Sequence, residues 1–476
     1  KKTMLRLRKH LSNILIFCFA VFLGLPSAAH GQAGTSEEIA EIREMVTAMK
    51  ADYEARIAEL ERRLAAAESA GEETVVDRPQ GSTQSVTAGN AFNPRISAIL
   101  DGNYYHDGLG GDGASLLGEA AQPSHTAHEE EGHAHGGGQS NGMNLRTAEF
   151  AFSATVDPYF DASAYLTMEG DEIDVEEAWF STRMLPNGFK LKAGKFLSDF
   201  GYLNNKHEHQ WEFADQNLAY LNLLGDHGLQ DTGVQLTWLP EMPIYTLLGV
   251  ELLQGDQERV GAFVEDVDER TALGLGEQDD GPRMVTLFAK VSPDLGYDHA
   301  LQIGGTYVHN RQHQENHEEA LVETGLEGEA DLFGLDVVYK YDNAAAYGKG
   351  DFNFQAEYLR SVKDLTVRAG DPLAIGNVRT LTTDGLYFQG VYGILPRWQL
   401  GLRYDALGMT NEVTGDIYEA FGSSDRWTAA LTWTPTEFSR FRMQYAHNDI
   451  LTEAGIRESF NTVWLHFLMS PVSYTH

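Results

Sequence analysis

The chain has 476 residues, and its 70 acidic side chains against 35 basic ones give a formal net charge of −35. That balance disfavours nucleic acid and other polyanions and attracts cations. The single cysteine, Cys18, leaves the rest of the chain without a disulfide or a thiolate metal site.

Lys1, Lys2, Arg6, Arg8 and Lys9 precede an apolar run over 11–25, followed by Pro26 and small residues. Ser27-Ala28-Ala29 or Gly31-Gln32-Ala33 suits cleavage, so 1–33 reads as a secretory signal peptide. The apolar run is shorter than the ~20 residues of a spanning helix. Region 36–69 is rich in Glu, Ala, Arg and Leu and holds no Gly or Pro. Its apolar residues Ile39, Ile42, Val46, Met49, Tyr53, Ile57, Leu60 and Leu64 recur at gaps of three and four, with one extra four. That is a heptad seam with a stutter, and it predicts a periplasmic coiled coil that joins subunits. Region 70–93 is polar and rich in Gly, Ser and Thr, the composition of a flexible linker.

From 94 onward the signal changes to alternation. In 397–409, Trp398, Leu400, Leu402, Tyr404 and Ala406 share one parity, and Gln399, Gly401, Arg403 and Asp405 the other. Successive side chains of a strand point to opposite faces, so one face is greasy and the other wet. About sixteen such segments fall between 94 and 470, an even number as bacterial barrels have. Links rich in Pro, Gly or Asn, such as 157–160, 185–188, 240–243 and 395–396, alternate with long ones over 107–143, 201–227, 255–282, 310–329 and 363–378. Short turns at one end and long loops at the other predict an all-β membrane protein over 94–476. Its fold is an antiparallel transmembrane β-barrel of about sixteen strands with long extracellular loops. Mean hydropathy of −0.33 does not contradict this, because lumen residues dilute the lipid-facing ones.

Histidine concentrates in the long loops. His125, His128, His133 and His135 lie among Glu129, Glu130 and Glu131, and His207 and His209 flank Glu208. His309, His313 and His317 recur every four residues, a spacing that stacks imidazoles on one face if the segment is helical. Imidazole with carboxylate and no thiolate suits zinc, copper(II) or nickel, so the three groups are candidate sites for zinc or another divalent transition metal. No cofactor is required by the pattern. Loop 201–227 also holds Trp211, Phe213, Tyr220, Leu221, Leu223 and Leu224, too apolar to stand in water. It is expected to fold inward and narrow the pore, carrying Glu208, Trp211 and Asp215 to the lumen residues Asp336, Glu357, Arg403, Asp405, Arg440 and Arg442. No nucleophile–base pair, phosphate-cradling loop or nucleic-acid patch stands out, which argues against an enzyme.

A signal peptide, a coiled coil and a barrel of this size together resemble trimeric porins of the phosphate-selective porin O and P type. Within 193–240, the markers Phe200-Gly201-Tyr202-Leu203-Asn204, His207-x-His209, Trp211, Asp215 and the strand end 233–240 also resemble outer-membrane proteins labelled zinc-regulated or TonB-dependent receptors. A TonB-dependent receptor has a plug domain and about twenty-two strands. Only a coiled coil and a linker precede 94 here, so the resemblance implies the outer-membrane setting and not TonB-dependent transport. The resemblance implies a homotrimer in outer-membrane lipid. The expected function is passive diffusion of small solutes, with a preference for cations and capture of divalent metal at the His-rich loops. The alternative is a structural tether whose coiled coil engages peptidoglycan or another cell-wall polymer.

Overall fold

The computed structural model describes residues 95–124, 139–169, 172–319 and 322–470. The signal peptide, the coiled-coil seam from Ile39 to Leu64, the linker and the tract of His125, His128, His133 and His135 lie outside the described residues.

One antiparallel sheet contains β1 (Arg95–Asp107), β2 (Gly142–Thr155), β3 (Phe160–Glu169), β4 (Glu172–Thr182), β5 (Phe189–Leu197), β6 (Gln230–Trp238), β7 (Tyr245–Leu253) and β8 (Met284–Ser292). It continues with β9 (His299–Glu319), β10 (Val322–Tyr341), β11 (Phe352–Val367), β12 (Val378–Leu395), β13 (Trp398–Gly415), β14 (Glu419–Ala420), β15 (Ser424–Thr436), β16 (Ser439–Leu451) and β17 (Arg457–Met469). Of these seventeen, β14 is a two-residue stub on β13, and β13 pairs directly with β15, so sixteen strands circle the barrel. The ring closes where β1 meets β17, with Tyr104 opposite Leu465. Each of the sixteen alternating segments is one of these strands.

The outward parity is apolar. Leu400, Leu402, Trp427, Met443 and Leu465 are exposed on it, while Arg403, Asp405, Arg426 and Gln444 are buried on the other. Near the short-link end, Phe189 stacks on Trp238, Trp398 on Trp433 and Trp433 on Phe441, each with ring centres 5.7 Å apart. Tyr404 meets Trp427 at 4.5 Å, six residues further along β13 and therefore roughly 20 Å away. Two aromatic belts with an aliphatic band between them form the surface that outer-membrane lipid covers. Among the described residues no helix is long and apolar enough to cross a membrane.

Links of two to ten residues join β2 to β3, β4 to β5, β6 to β7, β8 to β9, β10 to β11, β12 to β13 and β15 to β16. The opposite end carries 108–141, 198–229 and 254–283, with the short helices α1 (Gly113–Gly118), α2 (Leu218–Leu224) and α3 (Val267–Ala272). One expectation is corrected here. Region 310–329 is not a loop: β9 and β10 continue through it as a paired hairpin, with Val322 opposite Glu319. Backbone pairing carries the ladder there, with Leu326 buried against Leu365 and Leu381, and the segment lacks a continuous apolar outer face.

The interior at the long-loop end is filled. Link 198–229 turns back inside the barrel, and its Phe200, Leu203, Trp211, Leu218, Tyr220, Leu223 and Leu224 join wall residues Leu332, Leu359, Tyr387 and Leu407 in one buried cluster. The wall accepts them through glycines: a Cβ on Gly334 would lie 2.7 Å from the Phe200 ring, and one on Gly385 2.7 Å from the Ala219 Cβ.

The two faces predict different tolerance. Leu402→Arg, on the lipid face near mid-height, should destabilise the barrel by about 2–4 kcal/mol. Gln399→Arg, on the lumen parity of the same strand, should change it by less than about 0.5 kcal/mol. Urea unfolding in lipid vesicles, followed by tryptophan fluorescence, checks the pair, and equal losses would contradict the assigned faces.

Candidate functional site

The inward loop is fastened to the wall at three places. At the first, Glu357 of β11 accepts the amides of Tyr202 (2.9 Å) and Leu203 (3.1 Å) and the hydroxyl of Tyr220 (2.7 Å), and the Tyr387 hydroxyl also donates to it. Asn217 caps α2 by accepting the Tyr220 amide. That cap sets the helix against β12 and β13.

The second is an ionic lattice. Asp215 receives Arg403 Nη2 at 2.8 Å and Arg426 Nη1 at 2.9 Å, and both guanidinium Nε atoms donate to Asp405 at 3.0 Å. Gln444 donates to Asp215 at 2.7 Å and accepts the Ala214 amide at 2.8 Å. Burial alone would raise the Asp215 carboxyl, but Arg426 and Arg403 bring it down to about 2. Arg442 donates to the Trp211 carbonyl at 3.0 Å, Arg440 to the His209 carbonyl, and Arg146 pairs with Glu208. Arg146 reaches inward because β2 carries one extra residue there: Asp101 is opposite Thr147, but Gly102 is opposite Leu145.

The third joins loop histidines to acids of β2 and β4. His207 Nδ1 lies 3.1 Å from Glu176 Oε1 and 3.6 Å from Glu149 Oε2, and its Nε2 lies 2.8 Å from Glu177 Oε1. His209 Nδ1 is 3.2 Å from Glu149 Oε2, and the Tyr165 ring stacks on His207 at 4.5 Å. Adjacent strand residues should face opposite ways, yet Glu176 and Glu177 both reach His207. A bulge explains it, since Tyr165 pairs with Glu177 and Leu166 with Val175, leaving Glu176 as the extra residue. Burial opposes a charge on His207, but the hydrogen bonds to Glu176 and Glu177 outweigh it and hold the imidazole well above its usual range. A cavity of about 70 Å³ adjoins the group, lined also by Asp174, Lys206, Asp226 and His227.

Residues 142–454 match the family model described as phosphate-selective porin O and P. The chain belongs to this family. It is an outer-membrane porin, a channel for passive diffusion. An uncharacterised protein of Aquifex aeolicus (strain VF5) is 34% identical over 386 residues, 79% of this chain and 78% of that protein. Among solved structures, the outer-membrane channel DcaP of Acinetobacter baumannii is similar at 12% identity and a TM-score of 0.47, covering 82% of this chain and all of that one. OprB of Pseudomonas putida is similar at 10% identity and a TM-score of 0.47, covering 79% and 94%.

The porin's predicted site residues separate into groups. Glu208, Trp211, Asp215, Glu357, Arg403, Asp405, Arg440 and Arg442 converge where the loop meets the wall, and Asp336 is buried on the lumen face of β10. His207 and His209 stack on each other at 5.6 Å. The third histidine group does not stack. It lies on strand β9, where the register shifts between Asn310 and His313. His309 therefore points outward to Asp331 at 2.9 Å, while His313 and His317 point inward and share Glu315 at 2.7 and 2.6 Å. Lys363 also binds Glu315 at 2.7 Å and already gives that carboxylate a cationic partner. Sequence reasoning missed Arg426 and Gln444, although lumen parity with Thr428 and Arg442 marks them. It also missed Glu176 and Glu177, because the bulge that turns both inward leaves no mark in the alternation.

Glu357 ties five donors of the loop and wall to one carboxylate, the fifth being the Gln355 amide at 3.1 Å. Glu357→Ala leaves buried donors unpaired at about 1–3 kcal/mol each. Amide hydrogen exchange across 201–224 should accelerate in this variant while the strands remain protected. Unchanged exchange would mean that apolar packing alone holds the loop.

Proposed function

We infer that the porin is a constricted diffusion channel that prefers cations and captures divalent metal at its histidine-rich outer end. The supporting observation is how the arginines at the constriction are used. Arg403 and Arg426 are taken by Asp215 and Asp405, Arg146 by Glu208, and Arg440 and Arg442 face carbonyls of the loop. An anion passing the loop meets Arg403, Arg426 and Arg146 already committed to carboxylates, and the unpartnered Arg440 Nε and Arg442 Nη1 are buried. The chain's charge of −35 then sets the potential at the mouth. Phosphate, named in the family's description, is for this reason not the solute favoured here.

Reversal potentials in a salt gradient across a planar bilayer test the preference. They should report cation selectivity that fades at high salt as charges are screened within ~3 Å at 1 M. Anion selectivity would overturn the reading and assign the eyelet to Arg440 and Arg442.

The heptad seam supports subunits held together in the periplasm, the resemblance to trimeric porins sets their number at three, and a cell-wall polymer such as peptidoglycan is a further partner of the coiled coil. Deleting 36–69 should turn trimers into monomers in mild detergent with the barrel still folded. A full-length protein that is monomeric under those conditions would refute the assembly.

A further inference from the structure

We propose that Glu149, Glu176 and His207 hold one divalent transition ion of the zinc type, and that this ion cross-links the constriction loop to the barrel wall. The binding site stands on its own geometry. Its effect on the pore rests on the reading of the loop as the constriction.

The three ligand atoms, His207 Nδ1, Glu176 Oε1 and Glu149 Oε2, converge within 4.8 Å of one another. Nδ1 is 3.1 Å from the first oxygen and 3.6 Å from the second. Tetrahedral zinc with bonds of ~2.0–2.2 Å holds its ligand atoms roughly 3.3 Å apart, so small adjustments suffice.

The surroundings prepare Nδ1 as the ligand. Glu177 Oε2 accepts the Leu197 amide at 3.0 Å and the Trp179 indole at 3.1 Å, which fixes that carboxylate. Its other oxygen faces His207 Nε2 at 2.8 Å. A carboxylate only accepts, so each ring nitrogen donates in this structure; an ion bound at Nδ1 takes the place of the hydrogen now given to Glu176, while Nε2 keeps its hydrogen on Glu177. A carboxylate behind the far nitrogen of an imidazole is the usual support of a metal-binding histidine.

Glu149 supplies an independent pointer. It is 3% exposed, and its Oε1 is buried with no hydrogen-bond partner. A buried carboxylate oxygen left unpaired is costly, and an ion held by both oxygens of Glu149 would satisfy it. Imidazole with two carboxylates selects zinc and its neighbours over calcium, which takes six to eight oxygens. The adjoining cavity of about 70 Å³ leaves room for a coordinated water. Lys206, which lines it, turns its amine to the Tyr202 carbonyl at 3.1 Å. Because His207 belongs to the loop and both acids to the wall, occupancy resists any outward swing of the loop.

Zinc titration of the chelator-treated full-length porin in detergent, followed by calorimetry, tests the site. A background lacking 125–138 removes the outer tract and should retain one zinc per chain. In that background His207→Ala should abolish this stoichiometric binding, Glu176→Gln should weaken it at least tenfold, and Glu177→Gln should weaken it by roughly 10- to 100-fold. Zinc should slow hydrogen exchange across 201–217 in the unsubstituted chain, a measurement that needs no variant to fold. Zinc stoichiometry unchanged by His207→Ala would overturn the site, and exchange unaffected by bound zinc would overturn the cross-link. Ion selectivity measured on His207→Ala separates the two ideas: cation preference retained there leaves the porin reading intact whichever way zinc behaves.

Discussion

Hydrocarbon offers no partner for a backbone amide, so a sheet that enters a membrane must close. The pairing of β1 with β17 meets that demand, and the rest of the structure depends on it. Closure assigns every residue a side. Outward positions must be apolar, as Leu402, Trp427 and Leu465 are, and inward positions are released from that demand. A ring of sixteen strands is also too wide for its own side chains to fill. The folded-in link 198–229 meets this second requirement, bringing Phe200, Trp211 and Tyr220 into what would otherwise be water.

Polar groups then decide how the loop sits. Apolar contacts against Gly334 and Gly385 give it attraction without direction, whereas Asp215 between two guanidiniums admits one placement. Breaking one partner of such a buried pair costs about 3–5 kcal/mol, so alternative seatings of the loop are excluded more strongly than the native one is favoured. Bulges extend the same logic. Arg146 and Glu176 are each the extra residue of a bulge, and each points a charge at the loop that strict alternation would have sent elsewhere.

The legibility of the fold follows from these physical demands. Lipid enforces alternation on the outward face, so 397–409 and the segments like it could be read directly as strands. Beyond the membrane that demand lapses, and 310–329, with its Glu, His and Gln, looked like loop although β9 and β10 run through it. The inward fold of 201–227 was readable because Trp211, Phe213 and Leu223 cannot stay in water. The partners of that loop were only partly readable. Glu357, Arg403 and Asp405 follow from parity, whereas Glu176 and Glu177 depend on one inserted residue in β4, a property of register that alternation does not encode.

The charges facing the loop therefore do two jobs that compete. A guanidinium that grips Asp215 is less available to a passing anion, and a carboxylate that grips His207 is less available to a passing cation. Selectivity is set by whichever groups the loop leaves uncommitted, rather than by the tally of charges along the lumen. Arg403 and Arg426 are bound by direct ion pairs, whereas Arg440 and Arg442 reach loop carbonyls with Arg440 Nε and Arg442 Nη1 left without a partner, as Glu149 Oε1 is. In the same barrel, fastening the loop with arginine neutralises Arg403 and Arg426 against Asp215 and Asp405 and leaves Arg440 and Arg442 facing carbonyls, which hold a guanidinium in place without cancelling its charge.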